Sequence, residues 1–366
     1  MVTLRRPFGV HAANRPHSRT LGRWRSASLD FCGTPTIPLT VLRPCPHGRR
    51  GRHTRESGRV LVLVAPGQGA QTPGFLTPWL ELPGAADRLL AWSAAIDLDL
   101  VHYGTKADAD EIRDTAVAQP LLVAAGLLAA HALDGVRPDA VAGHSVGEIT
   151  AAVLAGVLDE TSALRFVRAR GLAMAEAAAV TETGMAAMLG GEQDVVVGHL
   201  EGLGLTPANV NGAGQIVAAG TAEQLAALAE NKPEGVRRVV PLKVAGAFHT
   251  VHMAPAVAAL EAKAAELTVV DPKTAYVSNR DGAVVTGGEE VVARLVGQVA
   301  NPVRWDRCME TFQEMGITAL VELCPGGTLT GIAKRALPGV KPLALKTPAD
   351  LDAARELIAE HTGPAA

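Results

Sequence analysis

Aromatic residues are scarce in this sequence. Phe, Trp and Tyr together make up 3% of its 366 residues, whereas hydrophobic residues of all kinds make up 48%. A large core can therefore be buried, but Ala, Val and Leu side chains must build most of it. At roughly 100 to 200 residues per domain, the length predicts two or three domains or subdomains.

Cysteine is scarce as well. The four cysteines include no C-x-x-C pair, and no histidine cluster completes a zinc-binding spacing. This pattern argues against a disulfide scaffold and against a structural zinc site. We therefore expect a soluble protein of a reducing compartment, the cytoplasm, with no bound metal.

Long apolar runs and a general excess of positive charge are also missing. The longest apolar run, residues 121–133, includes His131 and is too short to span a bilayer. Residues 60–366 contain 22 basic and 35 acidic residues, whereas a nucleic-acid-binding surface is basic. We therefore expect neither a membrane nor a nucleic acid as partner.

Residues 1–59 differ from the rest of the chain. They contain 12 arginines, no lysine and two acidic residues, mixed with Pro, Ser and His in no helical or alternating period. Such a segment buries too little apolar surface to offset the entropy lost on ordering. We predict a disordered arginine-rich extension over residues 1–59; the alternatives are upstream sequence that is not translated in the cell and an arm that binds nucleic acid or a membrane.

From residue 60 onward, apolar strands alternate with helical patterns. Residues 60–65 form a continuous apolar run that is rich in β-branched valine, which is typical of a parallel strand covered on both faces. The next expected elements are helices at 87–96 and 120–132, a strand at 140–142 and a helix at 146–157. We expect the 120–132 helix to start at Pro120, because proline is favoured at a first helical position. The alternation predicts an α/β fold with a parallel sheet.

Residues 182–245 follow a different order. Strands are expected at 185–189, 206–210, 215–219 and 236–242, with helices at 192–203 and 221–229. The order β-α-β-β-α-β is the ferredoxin-like signature. We predict a ferredoxin-like small subdomain over 182–245, inserted between residues 60–181 and 246–366 of a large α/β subdomain. Met185 and Met188 are assigned to its core.

The segment 143–147, GHSVG, matches G-x-S-x-G between a strand and a helix. In such a turn the serine, here Ser145, is exposed above the amides at the helix N-terminus, as in a nucleophile elbow. The elbow predicts an α/β-hydrolase-like parallel-sheet core. Ser145 and Glu148 also spell S-x-x-E, a helix capping box that needs no chemistry, and this alternative stays open.

Five motifs in order resemble the malonyl-CoA:acyl-carrier-protein transacylase family, whose relatives are the acyltransferase domains of polyketide and fatty-acid synthases. They are PGQGAQT at 66–72, GHSVGE at 143–148, an Arg-Gly pair at 170–171, GAFH at 246–249 and Q-x-x-N-P-V-R-W at 298–305. The resemblance extends over nearly all of residues 60 to about 345. It implies an acyltransferase with a serine–histidine dyad.

Ser145 needs a base to act as a nucleophile. The resemblance implies that His249 is this base and that the backbone carbonyl of Gln298 orients it. A loop histidine satisfied by the backbone is the alternative for His249, and a polar residue at a helix end is the alternative for Gln298. His252 could pair with His249 on a metal, but no third ligand is evident.

Arg170 can be located from helical periodicity alone. On the expected helix 163–177 it falls within the apolar face, whereas Arg165 and Arg168 lie on the other side. A guanidinium that faces the core needs an anionic partner. That partner is either a buried Asp or Glu or, as the resemblance implies, the free carboxylate of malonate.

The resemblance also implies supporting residues. The backbone N–H groups of Gln68 and Val146 would form the oxyanion hole, and His144 and Asn211 would lie around the substrate. Phe248 matches the A-F-H pattern of malonyl-selective members, whereas methylmalonyl-selective relatives have a smaller residue there.

The implied reaction transfers malonyl from malonyl-CoA to the phosphopantetheine thiol of an acyl carrier protein, with no cofactor. We expect a monomer. The alternatives are a non-catalytic carrier-docking module and an α/β-hydrolase-type thioesterase or esterase with the chain order Ser…Asp…His. The hydrolase would need His361, which we expect in a frayed terminal tail, with Asp306 or Asp350 before it in the chain. A buried Arg170 would have no use in a hydrolase of neutral acyl chains.

Overall fold

The structure is a computed structural model that describes residues 58–362. All but the last two residues of the predicted extension, 1–59, lie outside the described residues. The described part has a mixed α/β fold with twelve α-helices and two sheets. The strands are β1 Leu61–Ala65, β2 Ala140–Gly143, β3 Thr183–Gly190, β4 Thr206–Gly212, β5 Gln215–Thr221, β6 Val236–Pro241, β7 Ala275–Val277, β8 Val284–Val285, β9 Val303–Arg304, β10 Ala319–Glu322 and β11 Lys341–Ala344. The helices are α1 Ala85–Ile96, α2 Leu100–Thr105, α3 Thr115–Leu133, α4 Gly147–Leu154, α5 Glu160–Ala178, α6 Gln193–Gly202, α7 Ala222–Glu230, α8 Ala254–Ala264, α9 Gly288–Gly297, α10 Trp305–Glu314, α11 Thr328–Ala336 and α12 Leu351–Thr362.

The larger sheet has the strand order β11-β10-β1-β2-β7-β8, and only β8 runs antiparallel to its neighbour. The central strand β1 is buried on both faces, as its continuous apolar run predicts. Leu61 and Leu63 pack on the face that carries α3 and α5, whereas Val62 and Val64 pack on the face that carries α10 and α11. Because β1 and β2 are parallel neighbours, the loops that follow them lie side by side at the carboxyl edge of this sheet, which we call the rim.

The smaller sheet has the order β6-β3-β5-β4-β9. Its first four strands are antiparallel and come from residues 183–241, whereas β9 comes from much later in the chain and pairs parallel with β4. The strand β9 spans only two residues, which is too short for a sequence pattern to predict it. Because β9 runs directly into α10, this pairing connects the smaller sheet to the rest of the fold.

The helix α3 starts five residues before the predicted position. Asp114 caps it by accepting the N–H of Ala116, so Pro120 lies inside the helix and not at its first position. An internal proline leaves the carbonyl four residues earlier without its helical donor. That carbonyl belongs to Ala116, and the guanidinium of Arg168 donates to it at 2.7 Å. A side chain from α5 thus replaces the missing bond and allows the helix to continue through proline.

By length and composition, α3 is also the one helix among the described residues that could cross a membrane. It packs against α4 and α5, and 78% of its most apolar 18-residue window is buried within the protein. Most of its side chains are covered on every side of the helix. A helix that is apolar all round is expected in the core of a large domain.

The start of α11 is held by the side chain of Glu322 at the end of β10. This carboxylate is fully buried and accepts the backbone N–H groups of Gly327, Leu329 and Thr330 at 2.8 to 2.9 Å. Three otherwise unpaired donors at a helix N-terminus are thereby satisfied. The carboxylate fixes α11 against the end of the larger sheet.

We predict that Glu322→Gln lowers the free energy of unfolding by about 1 to 3 kcal/mol. The amide retains one acceptor oxygen and turns an N–H₂ group toward a backbone donor, which leaves a buried group unsatisfied. Urea denaturation followed by circular dichroism measures the change. Glu314→Gln, the same substitution at an exposed site on α10, should change it by less than about 0.5 kcal/mol. Equal effects of the two substitutions would contradict the anchoring role of Glu322.

Candidate active site

Ser145 lies in the sharp turn between β2 and α4, and both glycines of G-x-S-x-G are sterically required there. A Cβ atom on Gly143 would lie 1.9 Å from the carbonyl carbon of Gly147, and one on Gly147 would lie 2.2 Å from the carbonyl oxygen of Ala65. Ser145 itself has a φ of +52°, which is in the left-handed region and costly for a non-glycine residue. The turn therefore presses against β1 and holds Ser145 in a strained conformation.

His249 contacts this serine directly. The hydroxyl of Ser145 donates to Nε2 of His249 at 2.7 Å, and Nδ1–H of His249 donates to the backbone carbonyl of Gln298 at 2.8 Å. Because a carbonyl can only accept, the second bond places the proton on Nδ1 and leaves Nε2 free to accept. His249 also has a positive φ, +61°. The structure therefore places Ser145, His249 and the Gln298 carbonyl in one chain of hydrogen bonds, as the motifs predict.

The environment keeps this histidine neutral. Burial, reinforced by the positive charge of Arg170, lowers the pKa of His249 to about 3, against the opposing effect of the Gln298 carbonyl. His249 is 3% exposed. At neutral pH its Nε2 is consequently available as a proton acceptor.

Arg170 projects from the apolar face of α5, as periodicity predicts, and is 1% exposed. Its guanidinium donates to the side-chain oxygens of Gln119 and Gln298, each at 2.6 Å, and lies 3.4 Å from Oγ of Ser145. Within residues 58–362 no Asp or Glu forms a salt bridge with it. Burial lowers the pKa of Arg170 to about 10, so it remains charged at neutral pH.

Gln119 was not identified from the sequence. It is buried in the middle of α3, where it accepts from Arg170 and donates weakly to the sulfur of Met174. A lone amide within the otherwise apolar helix is the signal that could have revealed it. Its contact helps to explain how a buried guanidinium is tolerated without a carboxylate beside it.

A cavity of about 210 Å³ opens in front of Ser145, and Gln68 and Val146 both line it. In the part of the chain that the structure describes, the backbone N–H groups of these two residues form no hydrogen bond with the protein. The side chain of Gln68 donates to the carbonyl of Arg113, which holds the 66–71 loop in place. Two backbone donors are thus available beside the serine.

The remaining predicted residues also line this cavity. Nε2–H of His144 donates to the side-chain oxygen of Asn211 at 2.8 Å, which connects the nucleophile turn to β4 of the smaller sheet. Burial lowers the pKa of His144. Phe248 forms part of the wall. Met185, expected in the core, is buried near the start of β3 but also lines the cavity.

Glu148 does not form the capping box that its spacing allows. The Ser145 hydroxyl contacts His249 and Arg170, and no side chain caps α4. The Glu148 carboxylate instead turns inward, where it is 1% exposed. Burial raises its pKa to about 7, against the lowering effects of the Asn279 N–H, the Gln298 amide and Arg170.

The residues that a hydrolase triad would need lie elsewhere. His361 is not in a frayed tail: it is a buried residue of α12, where Nδ1–H donates to the carbonyl of Leu357. Asp306 binds Arg304 and Gln193, and Asp350 accepts backbone N–H groups at residues 346 and 347. No cluster of three His, Cys, Asp or Glu side chains among the described residues could hold a metal ion.

A strained serine that donates to a neutral histidine, beside two unused backbone amides, is typical of enzymes that form an acyl-serine intermediate. The family model described as "Acyl transferase domain" matches residues 62–349. The chain belongs to this acyl transferase family, which confirms the resemblance of its motifs.

Several relatives are similar along almost their whole length. The malonyl CoA-acyl carrier protein transacylase of Mycobacterium tuberculosis is 52% identical over 298 residues, which are 80% of this chain and 98% of that protein. The crystal structure of MCAT from the same organism has a TM-score of 0.78, at 52% identity, and covers 81% of this chain and 100% of that one. A malonyl-transacylase in complex with a type II polyketide-synthase acyl-carrier protein is 31% identical, with a TM-score of 0.77, and covers 81% and 99%.

We predict that His249 stays neutral at pH values well below the ordinary histidine pKa of about 6.5. Protonation would place a second buried cation beside Arg170. NMR of protein with ¹⁵N-labelled histidine measures this directly, with the resonance assigned by its loss in His249→Gln. Arg170→Gln should raise the pKa of His249, since the positive charge that reinforces the effect of burial is removed. A midpoint between pH 6 and 7 in the unmodified protein would contradict the expectation.

Proposed function

We propose that this protein transfers the malonyl group from malonyl-CoA to the phosphopantetheine thiol of an acyl carrier protein through a malonyl-serine intermediate. The names of the relatives support both the substrate and the partner. The observation that carries the proposal is the buried guanidinium of Arg170. It is charged, has no carboxylate partner among residues 58–362, and lies 3.4 Å from the Ser145 hydroxyl.

That position suits a malonyl group. One methylene separates its free carboxylate from its thioester carbon, so a carboxylate on Arg170 brings the reacting carbon close to Ser145. A guanidinium offers five N–H donors and binds carboxylates with two parallel hydrogen bonds. An acetyl group has no carboxylate to offer and would leave Arg170 unpaired.

In the first half-reaction, Oγ of Ser145 attacks the thioester carbon while its proton passes to Nε2 of His249. The N–H groups of Gln68 and Val146 hold the oxyanion. The carbon–sulfur bond then breaks, and the CoA sulfur takes the proton from His249. The carbonyl of Gln298 keeps the ring oriented and stabilises the transient imidazolium. His144, Asn211 and Phe248 shape the pocket around the acyl group.

In the second half-reaction, the carrier thiol gives its proton to His249 and its sulfur attacks the malonyl-serine carbon. The carbon–oxygen bond breaks, and the Ser145 oxygen takes the proton back from His249. The same two backbone N–H groups stabilise the second oxyanion. The enzyme returns to its initial state without any cofactor.

We also propose the finer description of the fold. The rim position of the turn after β2 supports an α/β-hydrolase-like core over residues 60–181 and 246–366. The strand order β6-β3-β5-β4, with α6 and α7 between the strands, supports a ferredoxin-like subdomain over 182–245. A cytoplasmic location is supported by Cys308 and Cys324, which are buried free thiols.

Intact-mass spectrometry after addition of malonyl-CoA tests the reaction. A malonyl adduct should appear on the protein and should be absent from Ser145→Ala. Addition of a phosphopantetheinylated acyl carrier protein should then discharge the adduct and add the same mass to the carrier. An adduct that persists in Ser145→Ala would disprove the assignment of the nucleophile.

Substitution of Arg170 tests the basis of selectivity. Loss of charge-assisted hydrogen bonds costs about 1.5 to 3 kcal/mol, which corresponds to roughly ten- to one-hundred-fold in rate. Arg170→Ala should lower kcat/KM for malonyl-CoA by about that factor and leave acetyl-CoA no worse. Arg170→Lys should restore only part, because an ammonium does not reproduce the planar fork.

Arg165→Ala is the control for this experiment. Arg165 lies on the same helix but is exposed, so its removal should change neither rate. Arg168 is unsuitable as a control, because it satisfies the Ala116 carbonyl. Equal losses with malonyl-CoA and acetyl-CoA in Arg170→Ala would show that Arg170 is a structural residue.

A further inference from the structure

The carboxylate of Glu148 lies behind the candidate active site without contacting any reacting group. Its Oε1 accepts the backbone N–H of Asn279 at 2.6 Å, and its Oε2 accepts Nε2–H of Gln298 at 2.5 Å. Glu148, Asn279 and Gln298 are all buried. A buried acidic side chain is costly unless it is hydrogen-bonded or paired with a positive charge, and both carboxylate oxygens of Glu148 accept a hydrogen bond.

The Gln298 side chain joins this carboxylate to Arg170. Its Nε2 donates to Glu148 and, at 3.0 Å, to the backbone carbonyl of Ser145, while its Oε1 accepts from Arg170 at 2.6 Å. A carboxylate can only accept and a guanidinium can only donate. The amide between them therefore has a single satisfactory orientation, with nitrogen toward Glu148 and oxygen toward Arg170.

The amide also keeps the two charges apart. A carboxylate in direct contact with Arg170 would form a bidentate pair and occupy the N–H groups that a substrate carboxylate needs. With Gln298 in between, the ionised form of Glu148, whose pKa is about 7, still favours the charged form of Arg170 through space. The guanidinium is thus stabilised by a negative charge and yet keeps donors for an incoming anion.

We propose that Glu148 is a positioning residue for substrate selection: acting through the Gln298 amide, its carboxylate orients Arg170 toward the substrate carboxylate without pairing with it. This inference rests on the function proposed above and extends it to a residue outside the pocket. Glu148 touches neither the substrate nor the reacting atoms. Its effect is on the choice between malonyl and uncharged acyl groups.

Exchanging the two side chains provides the test. The double variant Glu148→Gln/Gln298→Glu keeps the same set of atoms and the same net charge but moves the carboxylate into contact with Arg170. The ratio of kcat/KM for malonyl-CoA to that for acetyl-CoA should fall at least tenfold, mainly through a higher KM for malonyl-CoA. Acetyl transfer reports separately on Ser145 and His249, whose contacts with Gln298 could also be disturbed.

Glu148→Gln alone provides a second measurement that does not depend on the double variant folding. It removes the negative charge that favours the charged form of Arg170, whereas Arg170 and the Ser145 carbonyl still orient the Gln298 amide, so the malonyl-to-acetyl ratio should fall severalfold. Asp306→Asn is the matched control, since Asp306 is also a buried carboxylate in this region but binds Arg304 and Gln193. Its substitution should leave the ratio unchanged, even if the melting temperature falls.

Two results would overturn the inference. One is a ratio within twofold of the unmodified protein in both Glu148 variants. The other is an equal loss with both substrates, which would make Glu148 a structural residue only. Failure of the proposed function is recognised separately, because the unmodified protein would then form no malonyl adduct at all.

Discussion

A buried positive charge without an adjacent carboxylate is the constraint on which the site depends. The Arg170 guanidinium donates to the neutral amides of Gln119 in α3 and of Gln298 after α9. The negative charge that favours its charged form belongs to Glu148, on the far side of the Gln298 amide. Such an arrangement is stable only if every amide around it is correctly oriented. Among residues 58–362, Arg170 thus lines the cavity as a buried cation with no carboxylate in contact with it.

The same few residues connect this charge to the serine and the histidine. Gln298 contacts all three groups: its carbonyl orients His249, its side-chain oxygen accepts from Arg170, and its side-chain nitrogen donates to the Ser145 carbonyl. Ser145, His249 and Arg170 therefore share one support. The positive φ values of Ser145 and His249 are maintained because this support and the close approach of Gly147 to β1 leave little freedom.

The sequence allowed much of the site to be predicted, but only where a pattern is local. The glycines around Ser145 and the apolar face around Arg170 indicated both positions, and the motif resemblance led to His249 and Gln298. Gln119 and the inward direction of Glu148 were missed, because the partner of Glu148, Asn279, lies 131 residues away in the chain. The start of α3 was wrong for a similar reason: the donor that permits Pro120 inside a helix comes from α5. The two-residue strand β9 is too short to give a pattern at all.

The close contact between α3 and α5 limits how the cavity in front of Ser145 could be enlarged for larger acyl groups. Arg168 fastens the two helices at the Ala116 carbonyl, and a Cβ atom on Gly171 would lie only 2.9 Å from the carbonyl of Thr115, so their spacing is already at its minimum. The two helices therefore cannot move closer together, and moving them apart would break the hydrogen bond between Arg168 and the Ala116 carbonyl. Phe248 and Met185 also line the cavity with apolar side chains, so shortening them would enlarge the cavity without removing a hydrogen bond of Arg170.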